Sequence, residues 1–217
     1  MSFSPEIEQR LKEAGYKHHC FISYPRVPNK EVVKFVRRVR EAIRGELSLS
    51  VNNPSVFLDE SIETGSRWKP TLKEALCQSL TMVAICAPIY YHPERPWCGL
   101  EWATMEELKR RRLPHHDELG TIIPIILREA QHQPKIVSDI QWINISNESL
   151  VPGFYTSGKF NRLVRRIVNH IEKVSDVLVG DADNVVRTNC QDFQFPLRSA
   201  FEECQEVEPP APFYGNA

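Results

Sequence analysis

One acid in this sequence stands where chemistry could be done. Glu101 follows the apolar run Thr81 to Ala87 (TMVAICA) and the segment PIYYHPERPWCGL. The run is rich in β-branched residues and closed by Pro88, so it reads as a strand buried on both faces. Tyr90, Tyr91, His92, Pro93 and Pro96 then form a loop too rich in proline for a helix. A helix is expected to open near Trp97 and to carry Cys98, Glu101 and Met105, with Trp97 and Glu101 on one face. A carboxylate in the first turn of a helix, beyond the carboxyl end of a central strand, stands where open α/β sheets bind ligands. The alternative use of Glu101 is local, as an acid that favours the helix N-terminus through the dipole.

Other chemistries find little support. The cysteines, at 20, 77, 86, 98, 190 and 204, include no CxxC pair, and Cys20 and Cys86 fall within expected strands. His18–His19 and His115–His116 are adjacent pairs, not the i,i+4 spacing of a helical zinc site. No metal is expected, and the cysteines are read as free thiols in a reducing compartment. There is no GxGxxG and no GxxxxGK[ST], so neither a dehydrogenase nor a P-loop NTPase is supported. The 27 basic and 28 acidic residues nearly cancel, and nothing calls for nucleic acid or an anionic membrane. No run approaches membrane-spanning length and MSFSPEIEQR lacks an apolar signal core, so the expectation is a cytoplasmic protein.

The elements that must position Glu101 follow from periodicity. Ser4-Pro5 caps a short helix that places Ile7, Leu11 and Ala14 on one face and stops at Gly15. HCFISY (His19 to Tyr24) is a first strand, ended by Pro25; Asn29 caps a helix from Lys30 to Arg44, closed by Gly45. Val32, Phe35, Val36, Val39 and Ile43 face inward there, and Lys34, Arg37, Arg38 and Arg40 form a solvated outer face. SVFL (Ser55 to Leu58) is a second strand, ending in Asp59-Glu60; SIETGSRW is a loop in which Gly65 permits φ > 0, and Pro70 starts a helix. Thr121 to Leu127 is a fourth strand whose Pro124 implies a bulge or an edge. Ile140 to Ile145 is a fifth, and Lys159 to Val174 a final amphipathic helix.

Strands that read as continuous apolar runs and alternate with helices imply an α/β fold. The expectation is a flavodoxin-like three-layer sandwich around a five-stranded parallel sheet. Residues 1–17 form the short N-terminal helix, 18–174 the main domain, and 175–217 a tail in which periodicity fades. The tail sets Phe193, Phe195, Phe201 and Phe213 among prolines and acids, and either docks or stays partly disordered.

Three blocks stand in register: CFISYPR at the first strand, VFLDESIETGSRW from the second strand into the glycine loop, and PWCGLEW at the helix after the third. Together they resemble a Toll/interleukin receptor (TIR) domain, of the kind common in bacterial and plant immune proteins, over about 150 residues, an ordinary domain size. The resemblance implies cleavage of NAD between nicotinamide and ribose, with Glu101 as the required glutamate and NAD as substrate, not as cofactor. It also places Ser23, Tyr24 and Arg26, and Glu60, Gly65, Arg67 and Trp68, beside the nucleotide. One departure is that Glu94, Arg95 and Pro96 stand where the family often has a serine.

One carboxylate suffices for such chemistry. Nicotinamide leaves neutral from a cationic pyridinium, so no general acid is needed, and a carboxylate anchored to the ribose hydroxyls stabilises the oxocarbenium-like centre. Trp97 shapes the pocket by packing, and Trp68 either stacks on a ring or pins its loop. Arg26 and Arg67 either clamp phosphates or are solvated; Tyr90 and Tyr91 are assigned to the pocket wall. The resemblance further implies TIR–TIR self-association, a separate sensor or trigger protein, and a role in immune signalling or antiphage defence. Two rivals are a non-catalytic TIR scaffold and, more distantly, a relative of the nucleoside deoxyribosyltransferases, against which SIETGSRW argues.

Overall fold

The computed structural model describes residues 4–61, 68–94, 96–148, 150–180, 188, 190, 193–197 and 199–201. Five parallel strands run in the order β2-β1-β3-β4-β5: β1 His18–Ser23, β2 Val56–Leu58, β3 Ser79–Cys86, β4 Ile122–Ile126 and β5 Ile143–Asn144. This is the flavodoxin-like order, whose direction reverses between β1 and β3. Every residue of β3 is buried, because alternate side chains feed two cores. Val83 and Ile85 meet Phe35, Val39 and Ile43 of α2 (Lys30–Leu47) and Ile167 and Ile171 of α7 (Gly158–Val179). Met82, Ala84 and Cys86 meet Leu76 of α3 (Trp68–Cys77) and Trp102 and Met105 of α4 (Pro96–Arg112). The sheet is thus covered on both faces. Helix α1 (Pro5–Glu13) adds Leu11 to the first core, and the short helices α5 (Lys135–Ser138) and α6 (Pro152–Tyr155) complete the chain.

Several boundaries differ from the sequence reading. Gly45 does not close α2, which continues to the fully buried Leu47. Burying a leucine is worth about 2 kcal/mol, more than the roughly 1 kcal/mol that glycine costs inside a helix. Helix α3 opens at Trp68, two residues before Pro70, and Pro88–Tyr91 forms a 3₁₀ turn where a loop was expected. The fifth strand shrinks to Ile143–Asn144. That short pairing explains Pro124. Leu127 donates its N–H to Cys86 of β3, so by alternation residue 124 faces the β5 side, where pairing begins only at Ile125. Gly15 does end the first helix region, with φ of 97°, a conformation glycine adopts freely.

The tail corrects two expectations. Helix α7 runs past Val174 to Val179, burying Leu178 and Val179, and Ser175 returns its hydroxyl to the Ile171 carbonyl at 2.9 Å. Beyond it the described residues of the tail lie on the end of α1 and on α3 and α4. Thr188 donates its N–H to the Ala14 carbonyl, and Cys190 is bonded to Cys77 in a disulfide. The reading of all six cysteines as free thiols is therefore overturned for this pair, which lies 113 residues apart in sequence and is joined only by tertiary packing. Cys20, Cys86 and Cys98 are buried and outside any disulfide, and Cys204 lies outside the described residues.

Candidate active site

Glu101 sits in the second turn of α4, not in the first, and α4 carries no acid in its first turn. It is 6% exposed. A helix-start acid serving only the dipole would sit in solvent; this one is buried, and burial pushes its carboxyl from an ordinary 4.5 up to about 8. A hydrogen bond from Ser23 and the charge of Arg26 draw it back down, while Asp59 pushes it further up. A buried carboxyl at the carboxyl end of the sheet is a candidate for chemistry.

Its partners come from across the topological switch. Ser23, the last residue of β1, donates its hydroxyl to Glu101 Oε2. The Tyr90 hydroxyl lies 2.7 Å from Ser23 Oγ and donates to it when Glu101 is ionised. Tyr90 is fully buried in the 3₁₀ turn after β3. It is therefore not a pocket-wall residue: the structure places it, with Ser23, behind the carboxylate, where both orient Glu101. Tyr91 likewise turns away, to Gln133.

In front of Glu101 opens a cavity of about 930 Å³, lined by residues that follow β1 (Tyr24, Arg26), β2 (Asp59, Glu60, Trp68) and β3 (Glu94, Trp97, Cys98). This is the crevice at the carboxyl ends of the strands where such sheets hold ligands. Trp68, 41% exposed, meets Trp97 edge-on with ring centroids 4.5 Å apart, and Lys69 Nζ lies within 6 Å of both rings. Arg26 pairs with Asp59 at 2.7 Å, and Glu60 with Arg37 of α2 at 2.9 Å. Burial and the neighbouring Asp59 and Glu60 raise the Tyr24 hydroxyl, keeping it neutral and able to donate. Of the residues singled out in the sequence, the structure brings together Ser23, Tyr24, Arg26, Glu60, Trp68, Tyr90, Trp97 and Glu101; Gly65 and Arg67 lie outside the described residues. Asp59 was missed, although it directly follows the carboxyl end of β2. Among the described residues no group of His, Cys, Asp and Glu is placed to hold a metal, and no helix is long and apolar enough to cross a membrane.

No curated protein matches the sequence. Among solved structures, the chain is similar to the TIR domain of the Toll-related receptor TRR-2 from Hydra magnipapillata. The two share 16% identity over 69% of this chain and 99% of that one, with a TM-score of 0.38. The TIR domain family matches residues 20–164, spanning β1 to the first turns of α7 and including Ser23, Tyr90 and Glu101. This chain belongs to the TIR domain family.

Proposed function

We propose that this TIR domain is an NAD⁺ glycohydrolase. The observation that carries the reading is Glu101: a buried carboxylate, oriented by Ser23 and Tyr90, at the floor of a cavity of about 930 Å³. With the nicotinamide ribosyl group in that cavity, the cationic ring favours the ionised form of Glu101, offsetting the burial that keeps it neutral in the empty site. The carboxylate then holds the ribose hydroxyls and stabilises the oxocarbenium-like centre as neutral nicotinamide leaves. Attack by water gives linear ADP-ribose; attack by a second nucleophile of the same nucleotide gives a cyclic isomer. Trp68, Trp97, Tyr24 and Arg26 border the nucleotide. The enzyme acts in the cytoplasm, in immune signalling or antiphage defence, when a separate trigger protein drives self-association.

One observation favours a second reading. A carboxyl near 8 leaves the isolated chain with a largely neutral Glu101 at pH 7, as suits a scaffold that only assembles with other TIR domains. Nicotinamide release from concentrated or bead-clustered protein, measured by chromatography beside Glu101→Ala, separates the two. Release by the wild type alone establishes the enzyme and its product. No release from clustered protein, with or without cell extract to supply a trigger, moves the assignment to the scaffold.

A further inference from the structure

The tail segment from Cys190 to Phe201 touches the candidate site only from behind, and none of its described residues lines the cavity. It lies over α3 and α4 as a strap. Lys73 of α3 donates to the Phe193 carbonyl at 2.7 Å, and Arg111 of α4 lies over the Phe193 ring. Phe195 packs edge-on to Trp97, a cavity wall residue, at 6.1 Å. Ala200 donates its N–H to the Gly99 carbonyl at 3.1 Å, and a Cβ on Gly99 would overlap the Ser199 hydroxyl. Phe201 closes the strap against Tyr90, Tyr91 and Trp102, with ring centroids 5.0 to 5.8 Å apart. Tyr90 holds Ser23, and Ser23 holds Glu101. The strap is therefore the outer wall behind the catalytic constellation.

One covalent bond ties this wall down, Cys77–Cys190. Its two sulfurs are unequal. Cys77 is buried at the end of α3, while Cys190 is only partly buried. Arg112, itself buried, donates to the Cys77 carbonyl and sets a guanidinium nitrogen 4.0 Å from Cys77 Sγ. A fixed cation beside one sulfur makes that sulfur the better leaving group in exchange. The bond is thus built to open in one direction, by attack on Cys190.

We propose that Cys77 and Cys190 are a thiol–disulfide exchange site for small thiols and disulfides, and that its closure clamps the strap onto Tyr90 and Trp97; its effect on turnover rests on the NAD-cleaving reading. In opening, a thiolate such as that of glutathione attacks Cys190 Sγ. The S–S bond breaks, its electron pair leaves on Cys77 Sγ beside Arg112, and that thiolate then takes a proton from water. A second glutathione thiolate attacks the mixed disulfide, releasing the Cys190 thiolate and forming glutathione disulfide. Two glutathione thiols are oxidised as one protein disulfide is reduced, and the reverse reaction with glutathione disulfide closes the clamp. Such a pair reconciles a disulfide with a protein expected in a reducing compartment: the bond records an oxidative shift.

The test uses the full chain equilibrated with glutathione or with glutathione disulfide, then split between alkylation with peptide mapping, amide hydrogen exchange and nicotinamide release. The expected result is interconversion of the Cys77–Cys190 pair in the folded protein. Exchange across 97–101 and 199–201 slows about tenfold on oxidation, and release rises several-fold. Cys190→Ser should behave as the reduced form in both buffers. A pair that stays fixed in one state until the chain is unfolded overturns the proposal, as does exchange that leaves amide protection unchanged. Equal release from both states overturns the link to the site. Protection that responds to the buffer while neither state, bead-clustered and with or without cell extract, releases nicotinamide leaves the clamp standing and removes the enzymatic reading instead.

Discussion

Ser23 donates a hydrogen bond to Glu101 although the two stand 78 residues apart in sequence, one ending β1 and the other in the second turn of α4. The bond forms because β1 and β3 are neighbours at the point where the strand order reverses, so that whatever follows one faces whatever follows the other. It favours the ionised carboxylate against a burial that opposes it. The contest between the two sets the properties of the site.

Removing the Ser23 hydroxyl should let burial win further. Ser23→Ala is expected to raise the Glu101 carboxyl beyond about 8. The rising limb of kcat/KM for nicotinamide release then moves to higher pH, and at pH 7 the rate falls about tenfold for each unit of displacement. Tyr90→Phe keeps the ring against Phe201 and Trp102 but loses the hydroxyl, and should move the limb the same way by less. A pH–rate profile unchanged in both variants would remove the positioning role from this pair.

In the wild type, the same limb should rise towards a plateau above about pH 8, since the proposed mechanism uses only the ionised Glu101 and burial holds its carboxyl there. Profiles of kcat/KM between pH 5.5 and 9.5 check this. The kcat limb should lie lower, because the bound nicotinamide cation favours ionisation in the complex.

Glu101→Gln separates function from stability. The folded carboxyl is raised above its ordinary 4.5, so its contribution to stability is fully present below about pH 4.5 and is lost as pH rises through about 8. Glutamine is neutral throughout. The variant should match the wild type near pH 4.5 and exceed it by a few kcal/mol at pH 8.5, each unit of pKa difference being worth about 1.4 kcal/mol. Nicotinamide release should fall by a factor of about 100 or more. Denaturant titrations at the two pH values, beside the activity assay, give both numbers.

Trp68 is half-exposed at the cavity mouth and packs on Trp97. Trp68→Ala should raise KM about tenfold, the loss of roughly 1.4 kcal/mol of ring contact, with little change in the melting temperature. A large loss of stability would instead make Trp68 a loop anchor.

Gly99→Ala probes the strap without touching a site side chain. Alanine favours a helix over glycine by up to about 1 kcal/mol, but its Cβ would overlap the Ser199 hydroxyl and meet the Phe201 ring at 3.0 Å. The clash, about 1–3 kcal/mol for overpacking, should prevail. A lower melting temperature and an altered near-UV signal from the Trp97, Trp102 and Tyr90 cluster are expected.

The sequence by itself determined the local things. Continuous apolar runs such as Thr81 to Ala87 marked strands buried on both faces, because period-2 alternation vanishes when both faces are covered. Spacing between those runs placed the helices, and position after the third strand singled out Glu101. Helix lengths were less legible where a buried terminal residue, Leu47 or Val179, outweighed a stop signal such as Gly45. Only the tertiary structure decided what stands behind Glu101. The Ser23–Glu101 bond, the placement of Tyr90 out of the pocket, the Cys77–Cys190 bond and the Phe201 strap join residues tens to more than a hundred positions apart. Periodicity is a property of neighbours along the chain. Which distant residues meet is set by strand order and by how much apolar surface a second element covers, and neither is written in any one stretch of sequence.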